Sequence, residues 1–332
     1  MILVWHGSWR PWINLWLETC RWNPTWTFFV FSDQSPPSGA SEVVNVNFKF
    51  LDKTALALLL KEKLGHEYTT AAGYKLCDFR PTYGKLFADY LADHTHWGYC
   101  DEDLFLGQLD KFFTAEVLAK HDIVTSCRCS IVGQFTLFKN TPFHRDLYLQ
   151  IPRIQELLRD HGTQIVDETH INNFARTEEQ AGRLSVSRRQ IQTHDVNSEE
   201  WQRWADELEQ AEFNRPHGPM LHGPATWCDG QIFNAATGTE FAFFHFGSWK
   251  KKWNLPPLPL PPHGIKGWTA TAHGLRFLRR EGASRWPAVQ YNLRCRLLGR
   301  WIALERRFSR FKQALRQRKA DWYRRREQRN RR

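Results

Sequence analysis

Residues Trp97 to Leu106, WGYCDEDLFL, constrain this chain more than any other stretch. Apolar residues on both sides of Asp101-Glu102-Asp103 predict a buried strand that stops where the acids begin. In an extended backbone, residues i and i+2 point the same way. Asp101 and Asp103 therefore converge, while Glu102 faces the other side in a supporting role. Two converging carboxylates suit a hard divalent cation, and Mg²⁺ takes one or two carboxylates alongside phosphate oxygens. A D-x-D alone also occurs at solvated strand ends, so its context matters.

That context is a run of alternating elements. Residues 2–5 and 26–32 read as buried parallel strands, with helical spacing of Trp12, Leu15, Trp16 and Thr19 between them. Asp33 ends the second strand, and His6-Gly7 follows the first. A strand over 43–50 and a helix over 54–64 come next. A polar turn with Lys75, Asp78 and Arg80 then leads into Tyr83, Leu86, Phe87, Tyr90 and Leu91 at helical spacing. Further strands are predicted at 122–125 and 135–138. The alternation predicts an α/β sheet layered by helices. Ligands of such sheets sit at the carboxyl ends of the strands, which is where these acids lie.

The stretches HGSWRPWINLWLETCRWNPTWTFFVFSD, YKLCDFRPTYGKLF, HWGYCDEDLFLG, VGQFTLFKN, VDE and FFHF occur in that order. Together they resemble a poorly characterised bacterial family of GT-A-like glycosyltransferases of the polysaccharide-biosynthesis type, over about residues 1 to 253. The resemblance implies a Rossmann-like mixed sheet flanked by helices and a Mn²⁺ or Mg²⁺ ion held by Asp101 and Asp103. It also implies a nucleotide-sugar donor, with UDP the expected nucleotide, and a glycan or lipid-linked acceptor. Asp78 and Arg80 would meet the donor's sugar or diphosphate, with Lys75 a second phosphate contact and Asp33 near the nucleoside. Arg offers fixed N–H donors to phosphate, and Asp accepts from sugar hydroxyls. His245, late in the chain, would be a further metal ligand, with Lys250 or Lys251 on the diphosphate. Asp167-Glu168, after Ile165-Val166 at an expected strand end, would face the acceptor, one of them deprotonating it if the reaction inverts the anomeric carbon. Each residue also has a structural alternative. Asp78 could cap a helix, His245 could be a core histidine, and Asp167 could cap the next segment. Gly133-Gln134 would allow close approach to a sugar.

The net charge of +11 is unevenly placed. From Thr271 to Arg332 there are 20 Lys and Arg against 4 Asp and Glu, and elsewhere 26 against 31. Leu297, Trp301, Leu304, Phe308, Phe311 and Leu315 form an apolar seam within the basic region, predicting a basic amphipathic helix, and their 4-3 spacing equally suits a coiled coil. An anionic partner follows, either a membrane surface or a polyanion. A membrane is expected over nucleic acid, which would make the Arg-rich tail itself the active part of a non-catalytic protein. The expected organisation is a catalytic domain over 1–255, a Pro-rich linker over 256–270 and a helical tail over 271–332. Residues 174–211 turn polar and read as an insertion or surface helix. Residues 226–246 resume β character, with turns at Asp229-Gly230 and Thr237-Gly238. Seven Cys without a C-x-x-C pair read as reduced thiols. With no secretory signal and no apolar span, the expectation is a cytoplasmic protein peripheral to the inner membrane face. The motifs of P-loop kinases, dinucleotide-binding dehydrogenases, serine esterases and zinc proteases are missing.

Overall fold

The structure, a computed structural model, describes residues 1–68, 73–128, 130–189, 191–194 and 224–330. A seven-stranded mixed sheet organises the first half, in the order β3-β2-β1-β4-β7-β6-β8. Strands β1 (Ile2–Trp5), β2 (Phe28–Ser32), β3 (Val46–Phe50) and β4 (His96–Cys100) run parallel. Then β7 (Phe135–Lys139) runs antiparallel to both β4 and β6 (Ile123–Thr125), and β8 (Val186–Arg188) runs parallel to β6. Strands β1 and β2 are nearly continuous apolar runs because helices cover both faces, whereas the edge strand β3 carries Asn47 and Lys49. Ile2, Val4 and Phe31 join a core with Leu56, Leu60 and Leu64 of helix α2 (Lys53–Leu64). Leu3, Phe28 and Val30 meet Ile13, Trp16 and Leu17 of helix α1 (Ile13–Arg21) on the other face. Asp52 caps α2 by accepting from the Ala55 amide at 2.8 Å, and Gly65 ends it in the left-handed conformation (φ 79°).

After β4 the chain leaves the large sheet. Strand β5 (Leu104–Leu106) pairs antiparallel with β13 (Phe243–His245), placing His245 opposite Leu104. Strand β9 (Gln192–His194) flanks β13 on its other side. The acids of the D-x-D thus occupy the junction between two sheets. The predicted 83–91 helix is broken into Tyr83–Leu86 and Ala88–Tyr90. The expected strand end at Ile165-Val166 is instead a π-helical turn, Val166–His170, running into the helix Ile171–Gln180. Of the polar stretch, residues 195–211 lie outside the described residues.

A five-stranded sheet follows, in the order β12-β11-β10-β14-β15. Its members are β10 (Ala225–Cys228), β11 (Gln231–Asn234), β12 (Glu240–Phe241), β14 (Ile265–Thr271) and β15 (Gly274–Arg279). The Asp229-Gly230 turn has both residues at positive φ (45° and 84°), as a two-residue hairpin requires. Trp227 and Trp268 face each other in register and stack at 4.4 Å.

This sheet corrects the expected division at 256–270 and 271–332. Strand β14 bonds to both β10 and β15, so residues 265–279 belong to the folded body. The Pro-rich strap is also fixed in place. Leu255 and Leu258 are buried, Asn14 Nδ2 donates to the Leu258 carbonyl at 2.7 Å, and Tyr291 OH donates to the Leu260 carbonyl at 2.7 Å. Prolines ruled out helix in this strap but did not reveal that it packs. A C-terminal helix exists, spanning Trp286–Asn330. Among the described residues no helix is long and apolar enough to cross a membrane.

A chain ending at residue 262 therefore loses an interior strand and strips cover from Trp227. It is expected to show no cooperative thermal transition by circular dichroism. A chain ending at residue 312 should melt like the full-length protein. Identical melting of all three would contradict the assignment of β14 to the core.

Candidate functional site

The parallel strands β1, β2 and β4 share one carboxyl edge, and the functional candidates gather along it. At the β1–β2 end, Asp33 Oδ1 accepts from the Gly7 amide at 2.8 Å and from Gln34 Nε2 at 3.1 Å. Slight burial disfavours its charge, but these bonds outweigh that and lower its pKa. Gly7 turns the chain there at φ 100°.

The main cluster forms at the end of β4. Asp101, Asp103 and His245 bring one ligand atom each within 4.8 Å of one another. The β5–β13 pairing is the cause, since it sets His245 beside the acids. His245 Nε2 is 3.4 Å and Lys250 Nζ 2.6 Å from Asp103 Oδ2. Gly247 makes this possible, because an added Cβ there would meet the His245 ring at 2.7 Å. Glu102 is buried and lies 4.0 Å from Lys250.

Arg80 links this cluster to a second pair of carboxylates. It bonds Asp101, donates to Asp167 Oδ2 at 2.8 Å and reaches the Gly133 carbonyl at 3.0 Å. The Gly133 amide in turn donates to Glu168 Oε1 at 2.9 Å. A Cβ at Gly133 would lie 2.5 Å from both Arg80 Nη1 and Asp167 Oδ2, so only glycine fits without parting the ion pair. Asp167 is buried, whereas Glu168 is partly exposed. Tyr99 OH donates to the Asp167 carbonyl at 3.3 Å.

Lys75 and Asp78 are placed differently from the donor contacts the sequence suggested. Both side chains are fully buried and pair at 3.0 Å. Lys75 also donates to the Leu157 and Gly162 carbonyls at 2.8 and 3.1 Å. Asp78 accepts from the Gln164 and Val166 amides at 2.9 and 3.1 Å. The pair satisfies the backbone of the loop that delivers Asp167, including Ile165 at φ 54°.

Burial and mutual repulsion set the protonation of the acids. Burial pushes Glu102 up to about 8, with Asp103 adding to the rise. Burial likewise pushes Asp167 up to about 7 against the pull of Arg80, and raises Asp101 and Glu168. Asp103 goes the other way. Burial opposes its charge, but His245 and Lys250 outweigh it and hold the carboxyl well below the usual range.

This donor set fits a hard divalent cation. It offers two carboxylates and an imidazole, and Oδ1 of Asp103 is buried with no hydrogen-bond partner among the described residues. Among the described residues, five carboxyls crowd against two permanent cations, Arg80 and Lys250, so added positive charge would be welcome. Asp101, Asp103, His245, Lys250, Arg80, Asp167 and Glu168 come together in one cluster. Sequence reasoning saw Gly133 only as room for a sugar to approach, not as the seat of the Arg80–Asp167 pair, and it missed Gly247. Their signal was a glycine set beside chemistry-bearing residues in otherwise apolar runs.

Over residues 1–256 the sequence matches the model of a family described as "Family of unknown function (DUF6625)", and the chain belongs to that family. No curated protein matches. Among solved structures, the fold is similar to mouse xyloside xylosyltransferase 1 in its apo form. The identity is 10% and the TM-score 0.35, covering 78% of this chain and 98% of that one. That likeness is too distant to bear on chemistry.

Two predictions follow from the cluster. In chelator-treated protein, Glu102 and Asp167 keep protons that the unfolded chain has released by about pH 5. Each therefore lowers stability as pH rises, Asp167 up to about 7 and Glu102 up to about 8. Asp103, with its lowered pKa, contributes stability above its unfolded value and loses it as pH falls below that. Urea midpoints should decline from about pH 5 to about pH 8, and Glu102→Gln should flatten the upper half of that slope. A profile that Glu102→Gln leaves unchanged would contradict this. Separately, Arg80→Ala takes the cation from the buried Asp167 and the half-buried Asp101 and should cost about 3–5 kcal/mol at pH 8 by urea unfolding. A cost below about 1 kcal/mol, the scale of an exposed pair, would show the bridge to be incidental.

Proposed function

We propose that this chain is a metal-dependent glycosyltransferase of GT-A-like architecture. It transfers a sugar from a nucleotide-diphosphate sugar, UDP-linked, to a hydroxyl of a cell-surface glycan or glycolipid, working at the inner face of a membrane. The observation that carries this reading is the convergence of Asp101, Asp103 and His245 at the end of a parallel strand, beside Lys250 and Arg80. Its support in the sequence is the ordered set of motifs resembling GT-A enzymes.

Asp101, Asp103 and His245 would hold Mn²⁺ or Mg²⁺, which when bound neutralises the diphosphate and stabilises it as a leaving group. Lys250 supplies a second positive charge at the same place. Asp33, at the β2 end, contacts the nucleoside. Arg80 holds Asp101 and Asp167 in fixed relation, and Lys75 with Asp78 fixes the loop that carries Asp167. These three act as positioning residues. Glu168 is the more accessible of the acceptor-side acids, and its raised pKa makes its carboxylate a better proton acceptor than an ordinary one. It takes the acceptor's hydroxyl proton as that oxygen bonds to the anomeric carbon. The bond from that carbon to the phosphate oxygen breaks, and the nucleoside diphosphate leaves with the electron pair. Asp167, buried against Arg80, orients this pair of acids.

The test is a calorimetric screen of nucleotide sugars with Mn²⁺ and with chelator. One UDP-sugar is expected to bind only with Mn²⁺. Asp101→Asn and Asp103→Asn should each abolish that binding and leave the circular dichroism unchanged. Donor affinity that ignores Mn²⁺ in the wild type, or survives both substitutions, rules the reading out.

A further inference from the structure

The C-terminal helix has two opposite apolar faces, and the body covers only one. At about 100° per residue, Ala288, Tyr291, Cys295 and Gly299 share the inner face, where Ala288 and Tyr291 are buried. That face is tightly fixed. Tyr291 OH bonds the strap, Asn292 bonds Phe277, and a Cβ at Gly299 would lie 2.7 Å from the Asn254 carbonyl. Arg306 closes the contact by donating to Asn254 Oδ1 at 2.9 Å and to the Trp253 carbonyl.

The opposite face carries Trp286, Val289, Leu293, Leu297, Trp301, Leu304, Phe308 and Phe311, at steps of three and four. Trp301 is 61% exposed, Leu304 and Phe308 59% each, and Phe311 58%. The stripe is about 38 Å long. Single exposed apolar side chains are ordinary, but a continuous stripe with two Trp and two Phe is not. On the wheel, Arg294 and Lys312 border it on one side and Arg296, Arg300 and Arg307 on the other, all exposed. Glu305 is the one acidic side chain described on this helix.

We propose that this stripe is the docking surface for an anionic lipid bilayer, with the helix lying in the plane of the interface. The Trp and Phe rings enter the headgroup boundary, and the bordering arginines meet lipid phosphates. Charge selects this occupant over a second copy of the chain. Two such helices face to face would set arginine against arginine with almost no carboxylate to pair them. The inner face latches the helix to the strap, so docking fixes the whole body relative to the membrane. The inference does not depend on the chemistry of the acid cluster.

The full-length protein is tested by co-sedimentation with phosphatidylcholine vesicles containing or lacking 30% phosphatidylserine. Binding is expected only with phosphatidylserine, and it should weaken as salt rises. Arg300→Ala with Arg307→Ala should reduce the partition coefficient roughly 25-fold, about fivefold for each arginine. Trp301→Ser with Phe308→Ser, both on the exposed face, should abolish binding with an unchanged melting temperature. Three outcomes would overturn the proposal. One is no vesicle binding by the wild type. Another is a stable dimer by light scattering that the Trp301→Ser, Phe308→Ser variant dissolves. The third is steeply salt-dependent binding to duplex DNA without vesicle binding.

Discussion

The site depends on one guanidinium. Arg80 lies between Asp101, at the end of β4, and Asp167, in the π-helical turn, and it also holds the Gly133 carbonyl. Without it, the buried Asp167 and the half-buried Asp101, from distant parts of the chain, would lie close together without the cation that joins them. Burial of that kind costs several kcal/mol per ion unless charge and hydrogen bonds offset it. Tight packing around the bridge does this. Gly133 removes the side chain that would pry it open, and Lys75 with Asp78 ties down the loop beneath Asp167.

A second constraint supplies the remaining ligand atoms. The β5–β13 pairing carries His245 and Lys250 from a late segment to the acids. The same segment is anchored from the far side, where Phe246 stacks on Trp253 at 4.9 Å and its amide donates to the Asp103 carbonyl at 3.2 Å. Trp253 in turn donates to the Thr271 carbonyl of β14. The second sheet therefore acts as the rigid backing for one half of the cluster. Preorganised charge of this kind is what a site needs if it is to stabilise a departing diphosphate.

Much of this was legible in the sequence, for physical reasons. Strands β1, β2, β4 and β7 are apolar runs because helices cover them on both sides, and such runs stand out. The D-x-D stood out because acids at a strand end break an apolar run, whereas His245 was singled out only through the family resemblance. The Lys75–Asp78 pair was not, since its burial depends on carbonyls and amides at 157–166 that no local pattern announces. Ile165-Val166 looked like a strand end, because two apolar residues before acids fit a strand and a π-helical turn equally well. Residues 265–270 were read into a linker and 271–279 into a tail because prolines precede them. Only the pairing of Trp268 with Trp227 reveals them as the middle of a sheet. The exposed seam was legible through its period, although the side chain of Leu315 lies outside the described residues. That the same helix has a second, covered face was not.

The central claim is that Asp101, Asp103 and His245 hold one divalent cation that a nucleoside diphosphate shares. The most direct measurement is anomalous diffraction from crystals grown with MnCl₂ and UDP. The account predicts one anomalous peak about 2.0–2.3 Å from an oxygen of Asp101, an oxygen of Asp103 and a ring nitrogen of His245, with diphosphate oxygens completing the shell. A diphosphate bound with its Mn²⁺ elsewhere, while Lys250 stays on Asp103 and Arg80 on Asp101, would contradict it.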